Sequence, residues 1–232
     1  MPVLELMTSS GLGSLLGMRH ALEPDHLAAV STLISGERNG VKAAFLGACW
    51  GLGHTSALIA VGAVLVVLRA EMPPRVADGF ELCVALMLIG LGLRAIYLAA
   101  SEGPAGPAHV HHHGGTVHLH HGAPAHIHIG AWTLARRPLI VGAVHGLAGS
   151  GALTALVLTT LPSTAARLTY MLVFGLGSTL GMAALSGLLG WPLARAGRHR
   201  GLARALSLAV GCVSTGLGLV WGYPLAGKVL GF

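Results

Sequence analysis

Charge is scarce in this chain. Fourteen Lys and Arg and eight Asp and Glu make up 9% of its 232 residues, where a soluble domain carries roughly 25%. So few ionic groups cannot cover a water-facing surface of this size. Cysteine is also rare. Cys49, Cys83 and Cys212 lie far apart, each inside an apolar run, and they read as small buried hydrophobes rather than disulfide partners or ligands. No basic residue precedes Arg19, so the N-terminus does not read as a cleaved signal peptide. No nucleotide-binding motif is present, and nothing in the chain marks an enzyme or a permanently bound cofactor. The net charge of +6 would suggest nucleic acid, but the basic residues sit in short loops between apolar runs. That is how charge is distributed for membrane topology, and it argues against a nucleic-acid partner.

What the chain has instead is apolar length. Hydrophobic residues are 53% of the total, and there are 35 glycines, which suit close helix packing in lipid. A spanning helix needs about 20 mostly apolar residues. Six runs qualify, at about 7–34, 43–68, 80–100, 138–161, 168–193 and 202–229. The first is interrupted at Pro24, and Pro73-Pro74 and Pro162-Ser163 mark turns. The expectation is an all-α membrane protein with six transmembrane helices embedded in a lipid bilayer. One side carries Arg38, Lys42, Arg136, Arg137, Arg195, Arg198, Arg200 and Arg204. The other carries Arg69, Arg75, Arg167 and Lys228. The positive-inside rule makes the first side cytoplasmic and puts both termini outside.

The two halves repeat. Gly17-Met-Arg-His20-Ala-Leu22 aligns with Gly142-Ala-Val-His145-Gly-Leu147. Trp50-Gly-Leu-Gly-His54-Thr55 aligns with Phe174-Gly-Leu-Gly-Ser178-Thr179, and Gly90-Leu-Gly-Leu93 with Gly216-Leu-Gly-Leu219. The offsets are 125, 124 and 126 residues. Three matches in order at nearly one offset outweigh shared composition. Each unit holds three spans, an odd number, so two tandem units lie in opposite orientations. Such inverted repeats are common among secondary transporters. The chain then divides into a first three-helix repeat (1–100), a His-rich cytoplasmic loop (101–137) and a second three-helix repeat (138–232).

His20-Ala-Leu-Glu-Pro-Asp25-His26 lies inside the first apolar run. Ionisable side chains at membrane depth cost a few kcal/mol each and persist where they face a protein interior or cavity. On an ideal helix His20 and Asp25 diverge by about 140°. Pro24 lacks the N–H that would bond the His20 carbonyl, and its ring crowds that carbonyl. The helix is expected to break between His20 and Pro24, letting the side chains converge and freeing the carbonyl. The matching Ala148-Gly149-Ser150-Gly151 is also a helix-weakening stretch. Two discontinuous helices at corresponding places point to a midplane site. His54 and His145, the repeat mate of His20, extend the set, although His145 also reads as a hydrogen-bonded packing residue. Imidazoles with a carboxylate suit Ni, Cu, Zn or Fe rather than Mg or Ca. A proton relay is the rival use of such residues. Arg19 and Glu23 read as a neutralising pair beside the break.

A second group lies in the third loop. His109, His111, His112, His113, His118, His120, His121, His126 and His128 fall between Pro107 and Gly130. Gly, Ala and Pro fill most of the gaps, so no packed core is available. The segment reads as a solvated linker that binds metal weakly at many exchanging positions.

His20-x4-Asp25-His26, with Arg19-His20-Ala21 at its start, resembles the signature helix of the nickel/cobalt transporter (NiCoT) family. Gly53-His54-Thr55-Ser56 is similar to that family's Gly-His-Ser/Thr motif. His145-Gly-Leu-Ala-Gly-Ser150 and Phe174-Gly-Leu-Gly-Ser178 resemble the shorter six-span relatives, which include high-affinity nickel-transport and urease-accessory membrane proteins. The likeness covers essentially the whole membrane part. It implies that His20, Asp25, His26 and His54 select and move Ni(II) or Co(II) as substrate. The longer permeases have eight spans and an Asp-Thr motif where this chain has Ala148-Gly-Ser150, and the His-rich loop resembles the nickel/cobalt efflux branch. The expectation is secondary transport of Ni(II), with Co(II) second, across a prokaryotic cytoplasmic membrane. Uptake is favoured over efflux, with cytoplasmic nickel chaperones as candidate partners. The alternatives are a membrane metallochaperone for nickel-enzyme assembly and a proton-linked carrier of a small solute.

Overall fold

The computed structural model describes residues 3–34, 37, 39–101, 109–113, 116–120, 126–129, 132–161, 163–196 and 200–231. His121, Arg38 and Arg198 lie outside these residues. Seven helices run in chain order: α1 (Val3–His20), α2 (Pro24–Ile34), α3 (Gly40–Leu68), α4 (Pro74–Ser101), α5 (Arg136–Thr160), α6 (Thr164–Ala196) and α7 (Arg200–Leu230). Among the described residues four stretches are long and apolar enough to cross a membrane: Gly40–Leu68, Pro74–Ser101, Thr164–Pro192 and Gly201–Leu230. At 1.5 Å per residue each exceeds the roughly 30 Å of bilayer hydrocarbon. The chain is therefore a multi-pass, helical membrane protein.

The first apolar run is two helices. α1 closes at His20 and α2 opens at Pro24, a first-turn position where the missing N–H costs nothing and the fixed φ suits the helix. In the break Leu22 N–H donates to Arg19 O at 2.9 Å and Glu23 N–H to His20 O at 3.0 Å. The His20 carbonyl is thus occupied, contrary to the sequence expectation, because a tighter i→i+3 turn forms where the proline blocks the regular bond. The expected second break is absent. α5 runs unbroken through Gly149, Ser150 and Gly151, since glycine weakens a helix but keeps the N–H that proline lacks.

The third loop also differs from expectation. β1 (His109–His113) pairs antiparallel with β2 (Thr116–His120), and β3 (His126–Ile129) with β4 (Trp132–Ala135). Alternating His-Val-His and His-Ile-His-Ile carries β-branched residues at a period of two, which suits pairing without a buried core. Cysteine is a further correction. Cys49 is buried, but Cys83 and Cys212 are exposed on the protein surface, where lipid supplies an equally apolar setting.

Helix packing is organised around α3, which lies against both α5 and α6, while α1 packs on α6 and α4 on α7. Small residues make the closest approaches, and these come in mates. A side-chain carbon at Gly17 would strike the Phe174 carbonyl oxygen, and one at Gly142 the Trp50 carbonyl oxygen. Gly53 abuts the Leu139 carbonyl, and Gly177 the Ser14 carbonyl. Gly51 abuts Thr179, and Gly175 abuts Thr55. Adding the repeat offset to one partner and subtracting it from the other turns each contact into its mate. Thr55 and Thr179, themselves mates, share a hydroxyl hydrogen bond at 2.9 Å, and Thr55 Oγ1 also donates to Gly175 O at 2.8 Å.

Two contacts mark the opposite ends of the bundle. Lys228 Nζ is 3.6 Å from Asp78 Oδ1, joining the end of α7 to the start of α4. Arg204 donates to Ala100 O at 3.5 Å, joining the opposite ends of the same two helices. The latter end, where α3 and α5 begin, is the basic end. A core of apolar side chains, including Ala29, Val30, Ile34, Trp50, Leu88 and Met182, fills the bundle toward it.

Candidate metal centre

The break in the first run sets the chemistry. His20 is the last residue of α1, and Asp25 and His26 open α2. Without the break, His20 and Asp25 would face directions about 140° apart. With it, the His20 and His26 rings lie 4.4 Å apart, centre to centre. His54, from the middle of α3, lies 5.2 Å from each. His145, from α5, lies 4.1 Å from His26 and 6.0 Å from His54. The five sequence-predicted residues of the membrane part therefore meet at one place. His26, His54 and His145 are buried.

Two interlocking sets emerge. One nitrogen from each of His20, His26 and His54 falls within 4.8 Å of the others, and so do donor atoms of Asp25, His26 and His145. Two nitrogens on opposite sides of one metal ion stand about 4.2 Å apart, twice a bond of about 2.1 Å. In the first set, three nitrogens at the 4.8 Å limit stand about 2.8 Å from their common centre, so each moves by less than about 1 Å to reach bonding distance. Its donors are also unspent. Nε2 of His20, Nε2 of His26 and both ring nitrogens of His54 are buried without a hydrogen-bond partner. An unpaired buried polar atom costs about 1–3 kcal/mol, so several converging at one point mark a place prepared for a ligand.

Asp25 is engaged on both oxygens. Oδ1 accepts from His26 Nδ1–H at 2.9 Å and from the His26 backbone N–H at 2.8 Å, and Oδ2 accepts from His145 Nε2–H at 2.8 Å. Glu23 Oε1 lies 3.0 Å from His20 Nδ1. The sequence reading paired Glu23 with Arg19; among the described residues its ion-pair partner is His20, which the turn at the break brings to i+3 range.

Close helix packing holds the site. Gly53 lets α5 approach α3 on one side, and Gly142 and Gly146 accept the Trp50 and His54 backbone on the other. Gly149 has the His20 and His54 rings about 4 Å from where a side chain would start. Two aromatic walls were missed in the sequence. Trp50 packs on His26 at 5.5 Å and His145 at 5.8 Å, and Phe174 packs on His20 at 5.4 Å. The signal was there: Trp50 precedes His54 by four residues, one helical turn, and Phe174 is its repeat mate. Eight of the nine candidate residues of the His-rich loop lie on the hairpin strands, and none is brought into this cluster among the described residues.

A cavity of about 1160 Å³ runs up to the cluster, touching His20, Asp25, His26 and His145. Its walls come from the ends of the helices remote from the basic end: Glu81 near the start of α4, Leu156 near the end of α5, Tyr170 near the start of α6 and Trp221 late in α7. On the other side of the cluster lies the packed core.

Fold and site together define a multi-pass membrane protein with a buried imidazole–carboxylate pocket at the inner end of a cavity. The comparisons make this specific. The chain belongs to the family described as high-affinity nickel-transport protein (NicO), whose sequence model matches residues 6–196. It is 31% identical over 225 residues to the urease accessory protein UreH of Bacillus sp. (strain TB-90), covering 97% of this chain and 95% of that protein. It is 28% identical over 188 residues to the chloroplast protein FOR GROWTH AND FERTILITY 2 of Arabidopsis thaliana, and 29% identical over 192 residues to FOR GROWTH AND FERTILITY 1. These matches cover 80% and 79% of this chain, which spans 48% and 50% of those two longer proteins. No solved structure matches the chain. Family membership places the protein in nickel transport or a role allied to it.

Proposed function

We propose that this protein is a secondary carrier that takes up Ni(II), and less readily Co(II), across a prokaryotic cytoplasmic membrane, with His20, Asp25, His26, His54 and His145 forming the site on its path. The observation that carries this reading is the set of unpartnered, buried imidazole nitrogens at the inner end of the cavity. Imidazole suits Ni(II), and a nitrogen-rich site disfavours the more abundant Mg(II) and Ca(II).

Six spans in two inverted units are the architecture that goes with it. The broken α1–α2 pair and α5 supply the two spans beyond the four long ones. Support comes from the exchanged glycine contacts and from Thr55 meeting its own mate Thr179, as expected at a local two-fold axis. With the basic end cytoplasmic, the cavity faces outward and the packed core closes the inward side. That favours uptake.

The second reading, a membrane metallochaperone, is favoured by the likeness to a protein named as urease accessory. Radiolabelled nickel flux into proteoliposomes separates the two. Saturable net flux supports the carrier. Tight nickel binding with no flux under any ion gradient would sink it and leave the chaperone.

A further inference from the structure

We propose that Asp25 and Glu23 are positioning residues that act on the metal through His26 and His20, and that neither carboxylate is a ligand. This deepens the reading of the pocket as the metal site and rests on it. Both carboxylates sit on the same ring atom. Asp25 Oδ1 is 2.9 Å from His26 Nδ1, and Glu23 Oε1 is 3.0 Å from His20 Nδ1. An ionised carboxylate only accepts hydrogen bonds, so each ring carries its proton on Nδ1. The lone pair is then on Nε2, and those are the two Nε2 atoms left buried and unpartnered beside His54. A carboxylate on the far nitrogen of a ligating histidine fixes tautomer and ring angle and makes the ring a better donor.

Asp25 has no oxygen to spare. Its second oxygen holds His145 Nε2–H at 2.8 Å. Ligation by Asp25 would forfeit a hydrogen bond to a buried imidazole, while three free imidazoles stand within reach of one another. His145 therefore completes a chain: His145 holds Asp25, Asp25 holds His26, and His26 presents Nε2. His20 has a shorter chain, ending at the half-exposed Glu23. Three ring nitrogens on one side leave the other side of the ion open to the cavity, through which water or a departing ligand can pass.

The test uses the whole protein, purified in detergent and titrated with Co(II), whose visible bands report the donor set. His54→Ala removes a free imidazole and is expected to shift the bands. Asp25→Asn and Glu23→Gln retain an oxygen acceptor for the Nδ1–H and are expected to leave the bands in place. Asp25→Ala loses that acceptor and is expected to weaken binding by about 10- to 100-fold, with Asp25→Asn recovering much of the loss. Metal-edge X-ray absorption gives a second readout: three imidazoles in the parent and in both carboxamide variants, two in His54→Ala. Shifted bands in Asp25→Asn or Glu23→Gln, with the imidazole count kept and an oxygen donor lost, would overturn the assignment and leave the pocket as the metal site. Bands and imidazole count unmoved by His54→Ala would overturn the pocket itself, and the assignment with it.

Discussion

The segment after His20 and the segment after His145 align in sequence at the repeat offset, yet one is broken and the other is not. Pro24 ends the regular bonding of α1, and α2 starts afresh. Its mate Gly149 lies inside an uninterrupted α5. A glycine in a helix costs about 1 kcal/mol and a proline about 3 kcal/mol, because only the proline removes a donor and adds a clash. The difference divides the labour. The first half turns its chain to bring three ionisable residues together. The second keeps a straight helix and uses its lack of side chains to let the His20 and His54 rings lie against it. Symmetry of frame is thus compatible with asymmetry of chemistry.

The strongest way to break this contrast is to attack residues of the cluster and their mates in parallel. His20→Ala, Asp25→Ala and His26→Ala are each expected to abolish nickel accumulation by cells while the protein still inserts in the membrane, since removing an intramembrane polar group does not hinder insertion. Ser178→Ala, at the mate of His54, is expected to keep most of the transport, because Ser178 Oγ is buried and unpartnered. Equal losses at His54 and Ser178, at matched expression, would dissolve the asymmetry.

The frame has its own test. Gly17→Ala and Gly142→Ala each drive a carbon into the carbonyl of a mated residue. Overpacking of this kind costs about 1–3 kcal/mol, so the two variants should lower the melting temperature in detergent by similar amounts. A large fall in one and none in the other contradicts the paired packing.

Pro24→Ala probes the break itself. It restores an N–H toward the His20 carbonyl, and a straightened helix would swing His20 away from Asp25 by about 140°. Nickel affinity is expected to fall with every ligand still present, while thermal stability holds or rises. Pro24→Gly should be milder, as glycine tolerates the turn. Nickel isotherms on the alanine variant that overlie those of the parent would show that the break is dispensable. The smallest effect is expected from deleting residues 109–128. The three-imidazole set draws its donors from helices alone, and flux into proteoliposomes should stay near that of the parent. Complete loss of flux, with the protein still inserted, would make the loop part of the path.

Much of this was legible in the sequence because it rests on local rules. Helix extents follow from apolar length, and the break follows from one proline. The five-residue cluster could be named because ionisable groups in an apolar run have so few other reasons to be there. Other features were not legible because they depend on what a neighbour supplies. Gly149 read as a weak point, yet the His20 and His54 rings beside it make a lack of side chain an advantage. The His20 carbonyl read as free until the turn gave it the Glu23 N–H. Glu23 read as the partner of Arg19, since spacing alone does not say which cation a flexible carboxylate will meet. The strands of the His-rich loop were hidden by its turn-forming residues, although the alternation within each strand was visible.

The cavity also bears on how the membrane voltage is felt. A recess that reaches the cluster, when filled with water, brings the potential of one face to the depth of His20. The voltage then falls mainly across the packed layer that includes Val30, Ile34, Leu88 and Met182. A dication crossing that layer gains about 4.6 kcal/mol per 100 mV, twice the value for one charge. On the proposed uptake reading, the field is concentrated in this packed layer, and an inside-negative potential would act on the ion at the step that releases it inward.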